Sequence, residues 1–402
     1  MVNPPPLAEL TMTMTRPDYD GGGLVNLMSS IIQARGGRSD APSLRDLSTD
    51  ELAQATNLIL LVIDGLGADW LDRQSPDGIL SQARRTTLTS VFPSTTAAAI
   101  PTFLTGEAPS AHGLTGWHTY LGELGCVMTV LPGTPRFGGV PYRKAGIDPV
   151  KLFGTTPVSD RIATRSILVS PAHIARSDFN RAHLGRGELV TFKGLRDMFV
   201  RTAGVLHGWG RRRREPKYLY LYWPRLDAIG HEQGMESPAA LAHLREIEQE
   251  IAIFMHEIAD TDSLMLVCAD HGQVDTQPTD TIDLADHPEL ENHLLLPLCG
   301  EPRAAFCYLR SGHAAAFGDY CSDVLADRVD LVPSEQLVEE GFFGAGRMHP
   351  RFMERVGDVC LLPKGNGVIR QWLPFEQPHR QIGVHGGLSD AELRVPLCLL
   401  RT

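Results

Sequence analysis

Six acids and histidines and a pair of threonines in this chain are of types that do chemistry, and they stand in telling places. Asp64 ends the run "LILLVIDGLG". Asp227 and His231 lie in "PRLDAIGHEQG", Asp270 and His271 in "ADHGQVD", and His385 in "GVHGGLS". The stretch "VFPSTTAAAIPTFLTG" adds two adjacent threonines, Thr95 and Thr96, after Phe-Pro-Ser. Each feature alone has an ordinary explanation. An Asp after a strand can be a turn or cap residue, Asp227 and His231 a surface pair, Asp270-His271-Gly272 a plain turn, and His385 part of a flexible glycine loop. Together they form a set. Carboxylate oxygens and imidazole nitrogens suit Zn²⁺ and similar ions. Six such ligands are too many for one tetrahedral ion and suit two, and two-metal sites clamp the attacking and leaving oxygens of a phosphoryl displacement. A threonine hydroxyl is a poor nucleophile at neutral pH, and coordination to a metal lowers its pKa. A threonine at a helix start would also place free N–H groups beside an anion.

These residues need a scaffold that brings them to one place. "NLILLVID" (57–64) is a continuous aliphatic run, as a parallel strand covered on both faces reads. "KYLYLYW" (217–223), "SLMLVCAD" (263–270) and "RVPLCLL" (394–400) read alike. Between them a helix is capped by Ser237 and opened by Pro238, with Leu241, Leu244, Ile247, Ile251, Phe254, Met255 and Ile258 at helical spacing. Strands alternating with helices indicate an open α/β sheet. In such sheets ligands bind beyond the carboxyl ends of the strands. Asp64, Asp227, His231, Asp270 and His271 follow predicted strands, and His385 precedes the last one. Pro101 is awkward in the helix expected after Thr96, because it removes a hydrogen bond. Residues 1–50 read as an irregular N-terminal arm with a short helix, and 51–402 as the catalytic domain. Within it, 117–216 is expected as a cap-like insertion and 300–372 as a small inserted α+β unit.

Composition narrows the partners. The chain has 402 residues, 43% hydrophobic and 21% charged, which is ordinary for a globular protein with a sizeable core. A net charge of −11 does not favour nucleic acid or anionic membranes. The basic run Arg211–Arg214 reads as a solvated loop. Seven scattered cysteines without a CxxC pair read as buried thiols in a reducing compartment. No signal peptide and no membrane-spanning run is visible, so the expected location is cytoplasmic.

On these motifs the sequence resembles the alkaline phosphatase superfamily, in the branch of type I phosphodiesterases and nucleotide pyrophosphatases. The resemblance runs from about residue 55 to the C-terminus. It rests on "LLVIDGLG", "VFPSTTAAAIPTFLTGEAPSAHG", "LDAIGH", "ADHG" and "HGGLS" in that order, and "SPAHIARSDFNRAHLGRGE" looks like the cap segment of bacterial members. It implies an alkaline-phosphatase-like, mostly parallel sheet with helices on both faces. It implies Thr96 as the nucleophile, with Thr95 in a variable position. One metal would be held by Asp227, His231 and His385. The other would be held by Asp64, Asp270 and His271, with Thr96 bridging to it. Two divalent ions, zinc first among them, and a small phosphate-ester substrate follow. Nucleotide pyrophosphatases carry an Asn three residues after the nucleophile; here Ala99 stands there, which argues against that activity while leaving metal-dependent phosphoryl transfer. No Arg or Lys occurs from Phe92 to His118, although Arg84 and Arg85 precede it. A diester, with less charge than a monoester, fits such a site, and Ala99 is expected to leave room for it. The alternatives are a phosphomonoesterase, a phosphonate hydrolase on the same residues, or a binding protein that kept the fold without the chemistry. "DGLGADW" lacks the glycine pattern of a dinucleotide loop. A sulfatase would need a Cys or Ser nucleophile in a Pro/Arg motif, and a cofactor-independent phosphoglycerate mutase a Ser in place of Thr96.

Overall fold

A computed structural model describes residues 14–208 and 214–402. Its centre is a seven-stranded sheet in the order Arg84–Thr89, Arg394–Arg401, Ser263–Cys268, Asn57–Ile63, Lys217–Trp223, Arg165–Pro171, Glu188–Phe192. Asn57–Ile63 pairs in parallel with both of its neighbours. Arg394–Arg401 runs antiparallel to the strands on either side of it. Its start therefore lies at the edge where the other strands end, so the loop before it reaches the same rim. Every residue of Asn57–Ile63 and Ser263–Cys268 is buried, as a strand covered on both faces must be.

Helices supply the cover. Pro238–Glu257 starts where the sequence places it: the Ser237 hydroxyl accepts the Ala240 N–H at 3.2 Å. Its buried face carries Leu244, Ile247, Ile251 and Phe254, and Phe254 meets Phe199 of helix Leu195–His207 with ring centroids 4.9 Å apart. In the N-terminal segment, helix Leu24–Ala34 buries Leu24, Leu27, Met28, Ile31 and Ile32 in the main core, next to helix Thr96–Thr105.

A second sheet has the order Val329–Pro333, Val359–Pro363, Ala304–Cys307, Cys299–Glu301, His118–Leu121, Cys126–Thr129, Thr134–Pro135. The two segments expected as separate insertions thus meet in one sheet. Residues 117–216 do not form a single cap. Their first part joins the second sheet, while Arg165–Pro171 and Glu188–Phe192 extend the central one. These two strands lie toward the sheet's border and are only partly buried, so they lack the unbroken aliphatic run that marks the central strands. Of the basic run, Arg211, Arg212 and Arg213 lie outside the described residues, and Arg214 is exposed. Among the described residues no helix is long and apolar enough to cross a membrane.

Candidate active site

The rim of the central sheet gathers all seven sequence-derived residues. Asp64 follows Ile63 directly, and Asp270 and His271 follow strand Ser263–Cys268 after one residue. Asp227 and His231 share one face of the helix Arg225–Gln233, one turn apart, with His231 Nε2 3.2 Å from Asp227 Oδ2. His385 follows the short strand Gly383–Val384. Thr96 is the first residue of helix Thr96–Thr105, and Thr95 its extended N-cap. Pro101 sits inside that helix without ending it, so the helix starts at Thr96 after all.

The two threonines face different partners. Thr96 Oγ1 lies 3.1 Å from His271 Nε2, against the ligand cluster. The Thr95 hydroxyl donates to Glu301 Oε1 at 2.6 Å. Geometry therefore singles out Thr96 as the hydroxyl beside the acids and histidines.

The donor set fits metal ions. Each histidine turns Nδ1 to a backbone carbonyl: His231 to Gly383 at 2.7 Å, His271 to Gly272 at 3.0 Å, His385 to Ser94 at 3.2 Å. That arrangement fixes the tautomer and leaves Nε2 as the ligand atom. Nε2 of His271 lies 3.4 Å from Asp64 Oδ1 and 3.6 Å from Asp270 Oδ2, and Nε2 of His385 lies 3.8 Å from Asp227 Oδ1. Asp64 Oδ1 and Asp270 Oδ2 are buried without a hydrogen-bond partner, a costly state that a cation would relieve. Asp64, Asp270 and His271 offer ligand atoms within 4.8 Å of one another, and so do Asp227, His271 and His385. His271 stands between the two groups, stacked on His385 with ring centroids 3.8 Å apart. His231 reaches the second group through Asp227.

Electrostatics tell the same story. Burial, then the facing carboxylates Asp270 and Asp227, push Asp64 well above the usual carboxylate range. Burial also raises Asp270. Burial would raise Asp227 too, but His231 beside it holds it below its ordinary value. Burial disfavours a charged His231, yet Asp227 outweighs it and raises His231 to about 9. Burial and the neighbouring His271 drive His385 well below its usual value. Three buried acids this close cannot all ionise without added positive charge, and divalent cations would supply it.

Four supporting residues went unread in the sequence. The Tyr222 hydroxyl donates to Asp64 Oδ2, and the Gln273 amide to Asp227 Oδ1. Glu301 takes the Thr95 hydroxyl and the Trp117 N–H, both at 2.6 Å. Arg303 pairs with Glu392 at 2.7 Å deep in the protein. Gln273 lies two residues after His271, and Glu301 follows the apolar run 294–300; those were the available signals.

Two cavities open from the site. One, of about 570 Å³, is bordered by Thr95, Glu301, His231, His385, Arg136 and Trp372. The other, of about 480 Å³, runs from Asp64 between Ile100, Leu104, Leu131, Leu168 and Phe179. Thr96, Trp117 and Asp227 border both. Ala99 is fully buried and borders neither, so it does not leave room for substrate as expected. Arg84 pairs with Asp72 at 2.7 Å and Arg85 with Glu51 at 3.2 Å, and neither borders the cavities.

Known structures share this architecture. Murine ectonucleotide pyrophosphatase/phosphodiesterase 5 aligns over 85% of this chain and 87% of its own, with a TM-score of 0.65 at 15% identity. The human protein of that name gives 0.64 at 15% identity, again over 85% and 87% of the two chains. Phosphonoacetate hydrolase from Sinorhizobium meliloti 1021, in complex with phosphonoformate, gives 0.60 at 17% identity over 86% and 90%. No curated protein matches the sequence significantly. These structures share the fold of this chain, a large, mainly parallel sheet covered by helices. The profile described as Type I phosphodiesterase / nucleotide pyrophosphatase matches residues 58–371, more than half of the chain. The chain belongs to that family, and with it to the phosphoester hydrolases. His385 lies beyond the matched span.

Proposed function

We propose that this protein hydrolyses phosphate diesters through a phosphothreonine intermediate on Thr96. The observation that carries the diester reading is the pair of cavities meeting at Thr96. A monoester has one organic arm and would leave one cavity empty; a diester fills both. The cavity beside Asp64 is walled chiefly by aliphatic side chains and suits an apolar arm, which gains roughly 25 cal/mol per Å² buried.

Asp64, Asp270 and His271 would hold one divalent ion, and Asp227, His231 and His385 the other, zinc by donor chemistry. When bound, such ions lower the hydroxyl pKa of the nucleophile and offset charge on the transferring phosphoryl group. The rest belongs to the chain. Thr96 Oγ attacks phosphorus in line; the Oγ–P bond forms, the bond to one alcohol breaks, and that alcohol leaves with a proton. The N–H groups at the start of helix Thr96–Thr105 face the phosphoryl oxygens. Water then attacks phosphorus, the Thr96 ester breaks, and the hydroxyl is restored with release of a monoester. Trp117, between the two cavities, keeps the arms apart.

The test compares catalytic efficiency on bis-(4-nitrophenyl) phosphate and 4-nitrophenyl phosphate with one zinc-loaded preparation. A diester preference supports the reading. Preference for the monoester, or for cleaving the C–P bond of a phosphonocarboxylate, overturns the substrate class. The seven unpaired cysteines, all but Cys126 buried, support a reducing, cytoplasmic setting.

A further inference from the structure

The hairpin that joins Cys299–Glu301 to Ala304–Cys307 belongs to the second sheet, yet its turn reaches the catalytic rim from both sides. On one side is Glu301. Its Oε1 accepts the Thr95 hydroxyl and the Trp117 N–H, so one oxygen ties the N-cap before Thr96 to the residue dividing the cavities. On the other side is Arg303. It pairs with Glu392 through two contacts of 2.7 Å and donates to the carbonyls of Gly365 and Gly367 at 2.9 and 2.7 Å.

Glu392 carries the contact onward. Its side chain accepts the Gly387 N–H at 2.8 Å and the Ser389 hydroxyl at 2.5 Å, and its carbonyl accepts the Gly272 N–H at 2.8 Å. It thus grips the chain on both sides, next to His385 and next to His271. The loop at 385–387 is threaded tightly between these groups. Gly386 has φ +117°, and a Cβ there would sit 2.6 Å from that of Glu301. The Ser94 hydroxyl closes the ring by donating to the Gly387 carbonyl at 2.7 Å. Arg303 and Glu392 are 3% and 0% exposed, so the charges are held out of water, where an unmatched charge is costly.

We propose that this turn is the positioning device of the site: Glu301 sets Thr96 against its neighbours, and the Arg303–Glu392 pair sets the loop that presents His385. The second sheet would then be part of the catalytic machinery. The inference rests on the reading of Thr96 and His385 given above.

The experiment uses the full chain and reads zinc titration, steady-state kinetics on bis-(4-nitrophenyl) phosphate and thermal melting for wild type, Arg303→Met, Glu301→Ala, Glu301→Gln and the control Arg165→Met. Arg165 pairs with Glu188 far from the turn, at the opposite border of the central sheet. Arg303→Met is expected to weaken one of two zinc sites about tenfold or more, the scale on which supporting partners act, with activity recovered by excess zinc. Glu301→Ala is expected to lower kcat at least about tenfold with both zinc sites and KM near wild type. Glu301→Gln, which keeps an acceptor oxygen, should lose clearly less. Arg165→Met should change melting only. Zinc binding and kcat at wild-type values in both Arg303→Met and Glu301→Ala overturn the proposal. So does a loss that follows melting alone and is not rescued by zinc. If Arg303→Met does not fold, Glu392→Gln, of similar shape, replaces it under the same criteria. Wild type that binds two zinc ions but cleaves no phosphate ester sinks the functional reading and leaves the Arg303 comparison to decide the positioning role. Wild type that binds no zinc overturns both.

Discussion

Adjacent threonines with unlike partners give a sharp test of the nucleophile. Thr96→Ala should abolish turnover, by at least about a thousandfold, while zinc titration and melting stay near wild type, since the side chain acts at the rim and not in the core. Thr95→Ala should be far milder. It removes one of two hydrogen bonds to a buried carboxylate, a loss of about 1–3 kcal/mol, and Trp117 N–H still serves Glu301. If the two substitutions exchange effects, the nucleophile is Thr95. Protonation gives a second test. In the metal-free protein Asp227 raises His231 to about 9. A raised histidine contributes stability that is complete below its unfolded value near 6.5 and fades as pH climbs through about 9. Zinc must displace that proton, so apparent zinc affinity should rise from pH 6 to about 9. Competition against a chelator of known affinity measures it, and a flat profile would contradict the role of His231. Asp64, Asp270 and His271 were legible because they sit at strand ends, where a metal ligand breaks an apolar run, and Asp227, His231 and His385 because they stand in short motifs close to predicted strands. Tyr222, Gln273, Glu301 and Arg303 were not, because their meaning lies in partners distant along the chain. Arg303 and Glu392 look like surface residues until folding buries them against each other.

Helices and loops hold these side chains through close backbone approach. Gly386 adopts φ +117° and leaves no space toward Glu301. Gly386→Ala should cost about 1–3 kcal/mol of backbone strain and displace His385. The expected result is weaker zinc binding at one site and at least about tenfold lower kcat, read by titration and kinetics; wild-type behaviour would show that the loop tolerates a shift. Gly272 is equally confined, since a Cβ there would lie 2.0 Å from the Ala391 carbonyl oxygen. At this scale the sequence spoke clearly where strands are covered on both faces, as in Asn57–Ile63, and where Ser237 and Pro238 open a helix. It was quiet for Arg165–Pro171 and Glu188–Phe192, whose partial exposure dilutes the apolar pattern. The shared second sheet could not be read either, because its strands come from segments more than a hundred residues apart and their antiparallel pairing leaves no local trace.

Over the whole molecule, the two cavities predict how substrate choice divides. Leu131 borders the apolar one. Leu131→Asp should raise KM about tenfold or more for diesters with a long alkyl arm and leave kcat near wild type, with little effect on the methyl diester of the same leaving group. Equal effects on both would place the alkyl arm elsewhere. The position of the last strand has a further consequence. Among the described strands of the central sheet, Arg84–Thr89, which leads into Thr96, pairs with Arg394–Arg401 alone, apart from a bridge from Thr89 to Gly23. A ribosome delivers that neighbour hundreds of residues after the strand that waits for it. Without it, Arg84–Thr89 would keep only the bridge from Thr89 to Gly23. One strand therefore braces the site from two directions: Arg394–Arg401 pairs with Arg84–Thr89, which leads into Thr96, and it continues from the loop that carries His385.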